Sequence, residues 1–291
     1  MAISLMPLHP VFVCQIAGLD LTRPLDAATH QAVVRAMDQY AVAVLPDQNL
    51  SDEQQIAFSR SFGELEHSPH FGVGQGGRVR MRHPELFDVS NLDEHGNILA
   101  EDDRRRAYRL ANEMWHTDSS FMPGGARYSL LHARAVPSSG ADTEFADMRA
   151  AYEALPAEKK QQIEGLIVEH STYYSRSLIG YQFTPDELTR RSATHQYLVQ
   201  VHPGSKRKSL YLASHASHVV GWPIEQGRAL LRELTEHATQ PRFVYRHKWR
   251  VGDLVIWDNR CTMHRATPFS DFTERRDLRR TTVRGDLPIV A

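Results

Sequence analysis

The hydrophobic positions of this chain fall into short runs, and two early segments have the spacing of amphipathic helices. Residues 26–40 place their apolar side chains along one side of a helix, with Asp26 as its N-cap. The sequence Ser51-Asp-Glu-Gln54 is a capping box and predicts a second helix that ends at Gly63. Further helices are predicted over 148–155, 157–166 and 225–238.

Outside these helices, the apolar runs are short and end at turn residues, which is typical of strands. Strands are predicted within 11–22, which also contains a turn, and over 41–45, 128–136, 167–170, 243–249, 254–257 and 278–283. Few of them are separated by crossover helices, which argues against a doubly wound parallel sheet. The pattern therefore predicts a mainly β chain with flanking helices, folded as a closed antiparallel sandwich of jelly-roll type.

Regularity is lost between residues 64 and 109. Four glycines lie between residues 72 and 77, and residues 101–106 are all charged. A phosphate-binding loop would need a strand before the glycines and a helix after them, and neither is predicted. Two overlapping interpretations stay open, a mobile surface loop and a lid over a substrate-binding mouth. Because no repeat or linker divides the chain, residues 1–291 are expected to form a single domain with this irregular segment.

The overall composition excludes several classes of function. Hydrophobic residues make up 41% and charged residues 24% of the 291, which is ordinary for a globular protein with a sizeable core. The net charge of -1 gives no reason to expect nucleic acid or a membrane as a partner. Cys14 and Cys261 do not make a disulfide framework, and the N-terminus lacks the basic region of a signal peptide. A cytoplasmic protein is therefore expected.

Two segments carry the candidate chemistry. Trp115-His-Thr-Asp118 supplies an imidazole and a carboxylate, and the segment that begins at Trp257 supplies a second imidazole at His264. In an extended segment residues i and i+2 share a side, so His116 and Asp118 can bind one ion together. Two histidines and one carboxylate that leave other positions open are typical of non-haem Fe(II) oxygenases. The same ligands would also suit a zinc hydrolase, or a binding module with a structural metal.

Five motifs in order resemble the family of taurine and 2,4-dichlorophenoxyacetate dioxygenases, which are Fe(II)- and 2-oxoglutarate-dependent enzymes. They are His116-Thr-Asp118, Thr143 within Gly140-Ala-Asp-Thr-Glu-Phe145, Trp257-Asp-Asn259, His264, and Arg275-Arg276-Asp-Leu-Arg-Arg280. The resemblance extends from Pro10 to about Asp286. The stretches 147–155, 215–218 and 236–240 are similar to the 2,4-dichlorophenoxyacetate branch of the family.

This resemblance implies a double-stranded β-helix in which His116, Asp118 and His264 bind iron, with dioxygen and 2-oxoglutarate as co-substrates. It also implies that Arg276 and Thr143 bind the distal carboxylate of 2-oxoglutarate. The chemistry agrees, because an arginine meets a carboxylate with two parallel hydrogen bonds.

For the prime substrate, the resemblance implies that Arg280 binds an anionic head group near the iron. Strand alternation would place Arg280 on the same face as Arg276. His215 and His218 match histidines associated with the phenoxyacetate branch, but their spacing is also that of one helical turn or a turn-capping pair. Asn91 lies where the family lines its substrate pocket.

The function expected from these residues is the hydroxylation of an aryloxyacetate such as 2,4-dichlorophenoxyacetate next to its carboxylate. The products would be a phenol, glyoxylate, succinate and CO2. The alternatives are a taurine or alkylsulfonate dioxygenase that releases sulfite and, from another class, a zinc hydrolase. A zinc hydrolase would have no need of Thr143 and Arg276 at their positions. The expected partner is a small anionic organic molecule, and a homo-oligomer is expected by analogy with the family.

Overall fold

The structure, a computed structural model, describes residues 3–68, 80–189 and 193–288. Its strands are β1 (Ser4–His9), β2 (Val13–Ala17), β3 (Val42–Leu45), β4 (Phe87–Ser90), β5 (Ala126–Ala135), β6 (Thr143–Asp147), β7 (Ile167–Ser171), β8 (Ala193–Tyr197), β9 (Val199–Val201), β10 (Lys208–Leu210), β11 (Ala216–Val219), β12 (Val244–His247), β13 (Leu254–Asp258), β14 (Thr262–Ala266) and β15 (Asp277–Arg284). Its helices are α1 (Ala27–Tyr40), α2 (Asp52–Arg60), α3 (Arg104–Arg109), α4 (Met148–Glu153), α5 (Ala157–Ile163), α6 (Thr172–Ser177), α7 (Pro185–Thr189) and α8 (Ile224–Ala238). Short 3-10 helices cover Leu110–Glu113 and Pro241–Phe243. The prediction of a mainly β chain with flanking helices is confirmed.

The largest sheet of the described residues has seven strands in the order β1-β2-β3-β13-β5-β15-β4. Neighbouring strands are antiparallel, except that β2 and β3 run parallel. A three-stranded sheet of order β12-β6-β14 packs against one face of it. Phe145 of the smaller sheet shares one buried apolar cluster with Trp257 and Leu278 of the larger one. We call this cluster, which lies between the two sheets, the inner core.

The opposite face of the large sheet is covered by α1 and α2. Val33 and Met37 of α1 and Ile56 of α2 are buried in one cluster with Leu130 and Ile256 of the sheet. Burial of an aliphatic side chain of this size contributes roughly 1.5–3 kcal/mol before the entropic cost of folding. The alternation of apolar residues along β5 and β13 is thus used on both faces, because one face meets the helices and the other the inner core.

The predicted helix caps are confirmed. The Asp26 carboxylate accepts a hydrogen bond from the backbone N–H of Thr29 (2.8 Å). Ser51 accepts from the N–H of Gln54 (3.2 Å), and the Gln54 side chain accepts from the N–H of Ser51 (2.8 Å). The second helix ends earlier than predicted, and a turn leads from it to Gly63.

A second apolar core lies on the far side of the β12-β6-β14 sheet. Met263 of β14 and Ala146 of β6 are buried there with Leu230 and Leu234 of α8 and with Val168 of β7. Strand β7 is the middle strand of a further sheet, of order β11-β7-β8. Because side chains alternate along a strand, Met263 points to this core and the next residue, His264, points to the inner core.

The segment predicted to be irregular, residues 64–109, is partly ordered into regular elements. Its glycine-rich part falls within residues 69–79, which lie outside the described residues. The described remainder contains β4, which pairs with β15 at the edge of the large sheet, and the short helix α3. None of the helices in the described part of the chain is long and apolar enough to cross a membrane.

Candidate metal and co-substrate site

The three predicted metal ligands lie next to one another. The backbones of His116 and His264 are joined by two hydrogen bonds, from His116 N–H to the His264 carbonyl (3.0 Å) and from His264 N–H to the His116 carbonyl (2.8 Å). Asp118 follows two residues after His116, while Thr117 between them hydrogen-bonds the Leu212 carbonyl (2.9 Å). The ligand atoms of the three residues all lie within 4.8 Å of one another, and all three residues are buried.

The two histidines are arranged to be neutral ligands. Nδ1 of His116 donates to the Met114 carbonyl (2.8 Å), because a carbonyl oxygen can only accept. In the neutral ring Nε2 therefore carries the lone pair, and it lies 4.0 Å from Asp118 Oδ1. Burial lowers the pKa values of both His116 and His264, which favours the neutral form that binds metals. Two imidazoles and one carboxylate suit Fe(II) and related divalent ions.

The carboxylate of Asp118 carries a negative charge at neutral pH. Burial alone would raise the pKa of Asp118, but the charge of Arg280, helped by the hydrogen bond from Ser129, lowers it well below its usual range. Nε2 of His264 lies 3.6 Å from Asp118 Oδ2. The described residues therefore present one anionic and two neutral donors at this point, and the donor set fits a dication.

A set of buried hydrogen bonds holds Asp118 in place. Ser129 of β5 donates to Asp118 Oδ2 (2.7 Å), and the backbone N–H of Asp118 donates to Asn259 Oδ1 (3.1 Å). Asn259 Nδ2 donates to Ser129 Oγ (3.0 Å), and Trp257 Nε1 donates to Asn259 Oδ1 (3.1 Å). No motif in the sequence singles out Ser129. Its place on the inner face of β5 could have been found from alternation with Leu131, but nothing in the sequence marks its partner.

Arg276 is a buried cation without a counter-charge. Its Nη1 donates to the Val89 carbonyl (3.0 Å), and no carboxylate within the described ranges forms an ion pair with it. Burial, followed by the nearby charge of Arg109, lowers its pKa to about 10, so it remains protonated at neutral pH. A buried, protonated guanidinium that has no ion pair favours the binding of an anion.

Thr143 opens β6 and is buried beside the inner core. Its hydroxyl oxygen accepts a hydrogen bond from Trp249 Nε1 (3.0 Å), so its own hydrogen is free to donate to a ligand. Trp249 packs against the inner core together with Leu278, which lies two residues after Arg276. Thr143 is thus linked through Trp249 to the inner core, and binding of 2-oxoglutarate by Thr143 and Arg276 stays a prediction.

Arg280, predicted to bind the substrate anion, lies at the metal site but already has a partner. Its Nη1 is ion-paired with Oδ1 of Asp118, and its guanidinium lies 5.0 Å from the ring centre of Phe87. Its Nε is buried without a hydrogen-bond partner in the part of the chain that the structure describes. The positive charge of Arg280 is thus partly neutralised by Asp118, a predicted metal ligand.

The two histidines predicted to contact substrate have different surroundings. His215 is buried, its Nδ1 lies 3.1 Å from Ser120 Oγ, and its ring centre lies 6.3 Å from that of His116. His218 is half-buried on β11, where its Nδ1 lies 2.8 Å from Ser217 Oγ and 3.8 Å from Glu169. The structure therefore brings His215 to the metal site, whereas the contacts of His218 are with its own strand and β7.

Asn91, predicted to line the substrate pocket, uses both ends of its side-chain amide in hydrogen bonds within the protein. Its Oδ1 accepts from the backbone N–H of Arg276 (2.8 Å). Its Nδ2 donates to the carbonyls of Asp271 and Glu274 (both 2.8 Å). Both ends of the amide are therefore engaged by the segment that leads into β15, and Asn91 holds the backbone of Arg276.

One carboxyl group lies beside the predicted metal ligands although no sequence pattern predicts it there. Glu66 accepts a hydrogen bond from Ser119 Oγ (2.7 Å), beside the predicted ligand Asp118. Burial raises the pKa of Glu66 to about 7, and the charges of Arg280 and Asp118 act on it in opposite directions. It lies in the segment read as an irregular loop, where no periodicity relates it to the other site residues.

Comparison with known proteins agrees with this geometry. Residues 4–282 match the family described as taurine catabolism dioxygenase TauD, TfdA family. The chain is 46% identical over 286 residues to an alpha-ketoglutarate-dependent 2,4-dichlorophenoxyacetate dioxygenase of Burkholderia sp. (strain RASC), which covers 98% of this chain and 95% of that relative. It is 36% identical over 294 residues to an (S)-phenoxypropionate/alpha-ketoglutarate-dioxygenase of Sphingobium herbicidovorans, with 98% and 96% covered.

Among solved structures, that of AAD-2 in complex with Mn(II) and N-oxalylglycine matches with a TM-score of 0.90 and 47% identity over 100% of both chains. Matches that cover nearly the whole chain at these identities confirm the family predicted from the motifs. The chain therefore belongs to the TauD, TfdA family, and it is an Fe(II)- and 2-oxoglutarate-dependent dioxygenase.

Proposed function

We propose that this enzyme hydroxylates an aryloxyacetate, such as 2,4-dichlorophenoxyacetate, on the carbon next to its carboxylate. Dioxygen and 2-oxoglutarate are consumed, and the products are succinate, CO2 and a hydroxylated ether that collapses to a phenol and glyoxylate. The observation that carries the proposal is the buried triad of His116, Asp118 and His264, together with the buried Arg276, for which the described residues offer no ion pair. The identity to a relative named for 2,4-dichlorophenoxyacetate supports the substrate class.

In this proposal His116, Asp118 and His264 hold Fe(II). When bound, the metal supplies the one- and two-electron chemistry of dioxygen and leaves open positions for the co-substrate. The protein keeps both imidazoles neutral through burial, and it orients His116 through the Met114 carbonyl. Ser129 and Asn259 fix the third ligand, so that little rearrangement is needed when an ion arrives.

Arg276 and Thr143 bind the distal carboxylate of 2-oxoglutarate. Arg276 offers a protonated guanidinium without a counter-charge in the described structure, and Thr143 offers a hydroxyl hydrogen. A charge-assisted, two-point contact of this kind fixes the orientation of the co-substrate as well as its affinity. Asn91 contributes indirectly, because it holds the backbone of Arg276.

Arg280 and His215 lie on the substrate side of the metal site. Arg280 contributes positive charge beside Asp118, which favours an anionic substrate over a neutral one. His215 is buried between Phe121 and His116, with ring centres 4.8 Å and 6.3 Å away. Arg280 and His215 would position the substrate, since the carbon that reacts must face the metal.

We also propose a fold type, a cellular compartment and an oligomeric state for the enzyme. The large sheet, the β12-β6-β14 sheet and the inner core between them make up a double-stranded β-helix in a single domain, with residues 64–109 as a lid. The free, buried cysteines Cys14 and Cys261 support a reducing, cytoplasmic setting. The enzyme acts on a small anionic molecule, without nucleic acid or membrane, and as a homo-oligomer like other members of its family.

The test is succinate formation by protein loaded with Fe(II) under argon, after addition of air, 2-oxoglutarate and a panel of anions. The panel contains 2,4-dichlorophenoxyacetate, both phenoxypropionate enantiomers, taurine and a longer alkylsulfonate. We expect succinate and an equal amount of phenol from the phenoxyacetate. Sulfite release from a sulfonate would instead assign the enzyme to the sulfonate branch, and the proposed substrate would be wrong.

A further inference from the structure

Arg106, on helix α3, is bound to the loop that ends at Arg276. Its Nη2 forms an ion pair with Oδ2 of Asp271 (2.7 Å), and its Nη1 lies 3.5 Å from the backbone carbonyl of the same residue. Its guanidinium also lies over the ring of Phe272, 3.7 Å from the ring centre. The Arg106 side chain is only 10% exposed, so water weakens these contacts less than those of a surface ion pair.

Further hydrogen bonds connect Arg106 with Asn91. The Asp271 carbonyl accepts from Asn91 Nδ2 (2.8 Å), so the two side chains meet at one residue. Arg106 Nη1 donates to the Leu99 carbonyl (3.3 Å), and the backbone N–H of Leu99 donates to the Asn91 carbonyl (3.0 Å). Asn91 in turn is joined to the backbone of Arg276 by two hydrogen bonds (2.8 and 3.2 Å). Two routes therefore lead from Arg106 to Asn91 and so to Arg276.

The position of the Arg276 guanidinium depends on this support. Its Nη1 donates to the Val89 carbonyl (3.0 Å), and the described residues offer it no ion pair. An anion binds such a group more tightly when the group is already fixed, because otherwise binding has to offset the conformational entropy that the side chain and its loop lose. The contacts of α3 with the loop therefore influence the affinity of Arg276 for an anion.

Helix α3 is also anchored on a second segment. Arg104 donates to the Gln182 carbonyl (2.7 Å) and is ion-paired with Glu187 of α7 (3.1 Å). Because this anchor does not involve the loop that ends at Arg276, loss of the Arg106 ion pair should loosen the loop without releasing α3 from the protein.

We propose that Arg106 is a positioning residue, which fixes Arg276 for the distal carboxylate of 2-oxoglutarate. The inference rests on the proposed function, which assigns that carboxylate to Arg276, and it adds the contact between α3 and the loop as a determinant of co-substrate affinity. Binding free energies are reciprocal. If docked α3 strengthens co-substrate binding, a bound co-substrate must also stabilise the docked position of α3.

The decisive variant is Arg106→Met, which keeps an unbranched apolar stem and removes the ion pair. Its matched control on the same helix is Arg105→Met, because the Arg105 guanidinium pairs with Asp103 (2.7 Å) and Glu94 (3.9 Å) instead. Calorimetry on protein loaded with Mn(II) measures Kd for 2-oxoglutarate without turnover. We expect Arg106→Met to raise this Kd roughly three- to thirtyfold and the control to leave it unchanged. Competition with a chelator should show unchanged Mn(II) affinity in both variants.

Two further measurements separate positioning from a general loss of structure. Asp271→Asn breaks the same ion pair from the other side, so the double variant with Arg106→Met should bind 2-oxoglutarate no more weakly than the weaker single variant. Hydrogen exchange should show that N-oxalylglycine protects the amides of 104–109 in wild type and protects them less in Arg106→Met. Thermal unfolding identifies a variant that fails to fold, in which case Arg106→Gln takes its place.

The proposal is wrong if Arg106→Met binds 2-oxoglutarate as tightly as Arg105→Met does. It is also wrong if Mn(II) affinity falls by the same factor, because Arg106 would then support the whole site and not the co-substrate arginine. Arg276→Met tests the proposed function separately. A loss of affinity in Arg276→Met but not in Arg106→Met overturns this inference alone. Unchanged affinity in Arg276→Met overturns the co-substrate role of Arg276, and the positioning role of Arg106 with it.

Discussion

The Asp118 carboxylate shows how much the position of one predicted metal ligand depends on the residues around it. Its Oδ2 accepts from Ser129, its Oδ1 is ion-paired with Arg280, and its backbone is held by Asn259. Each of these contacts removes a rotational freedom that metal binding would otherwise have to restrict. Partners of this kind typically change metal affinity by about 10- to 100-fold when they are removed.

We therefore expect Ser129→Ala to weaken Mn(II) or Fe(II) binding roughly tenfold or more. The loss should appear in competition with a chelator under argon, where no turnover is needed. The control is Ser59→Ala, because the Ser59 hydroxyl is also fully buried but bonds Thr281 and the Gln55 carbonyl on the helix side of the sheet. Equal metal affinity in the two variants would contradict a positioning role for Ser129.

The position of a site residue is most predictable from sequence where the residue lies in a periodic element. Alternation predicts Arg276 and Arg280 on one face of β15 and Arg279 on the other, and Arg279 is indeed ion-paired with Asp52 of α2 on the helix side. It could not predict that Arg280 pairs with Asp118 or that both ends of the Asn91 amide are engaged. Those outcomes depend on which distant segments meet, and nothing in a local pattern encodes that.

At the scale of whole elements, the helices were more predictable than the strands. Helix α1 and the start of α2 have side-chain caps and an apolar stripe, both of which can be read in the sequence. Strand β1 was missed because Pro7 and His9 interrupt its apolar run, although it is an edge strand that tolerates proline. Strands β8 to β10 have only three to five residues each, and β8 and β10 are largely polar, so their patterns are too short to mark them as strands.

The turn between β13 and β14 joins the inner core to the metal site. Asp258 at its start accepts two hydrogen bonds from the Arg260 guanidinium (2.9 and 2.7 Å) and lies 2.9 Å from Nε2 of His202. Its backbone carbonyl also accepts from the Thr262 hydroxyl (2.7 Å). The turn thereby sets the start of the strand that carries His264.

Asp258→Asn should destabilise the protein by up to about 3–5 kcal/mol, because it leaves the buried Arg260 guanidinium with only the exposed carboxylate of Asp286, 3.5 Å away, as a counter-charge. Urea unfolding of the metal-free protein measures this directly. Glu144→Gln on the neighbouring strand removes a partly exposed ion pair with Arg265 and should cost no more than about 1 kcal/mol. A loss for Asp258→Asn as small as that of this control would mean that the turn does not depend on its ion pair.

For the whole molecule, burial of neutral histidines links stability to pH. His170 lies in β7 with both ring nitrogens buried and without hydrogen-bond partners in the described structure, and its ring centre is 5.5 Å from that of Tyr211. Burial lowers the pKa of His170 to about 3. In the unfolded chain the ring titrates near its ordinary value of 6.5, so the unfolded state binds the proton first as pH falls.

Stability from this source is complete above pH 6.5 and is lost as the pH falls toward 3. Between pH 7 and pH 5 His170 alone should cost the native state about 2 kcal/mol. We expect His170→Phe, which keeps a ring and cannot titrate, to lose less stability over that interval than wild type does in urea unfolding of the metal-free protein. Because His132 and the metal-site histidines titrate in both proteins, the difference between the two slopes isolates His170. Parallel slopes would show that a proton can reach His170 in the native state at little cost, and that its burial does not limit stability in acid.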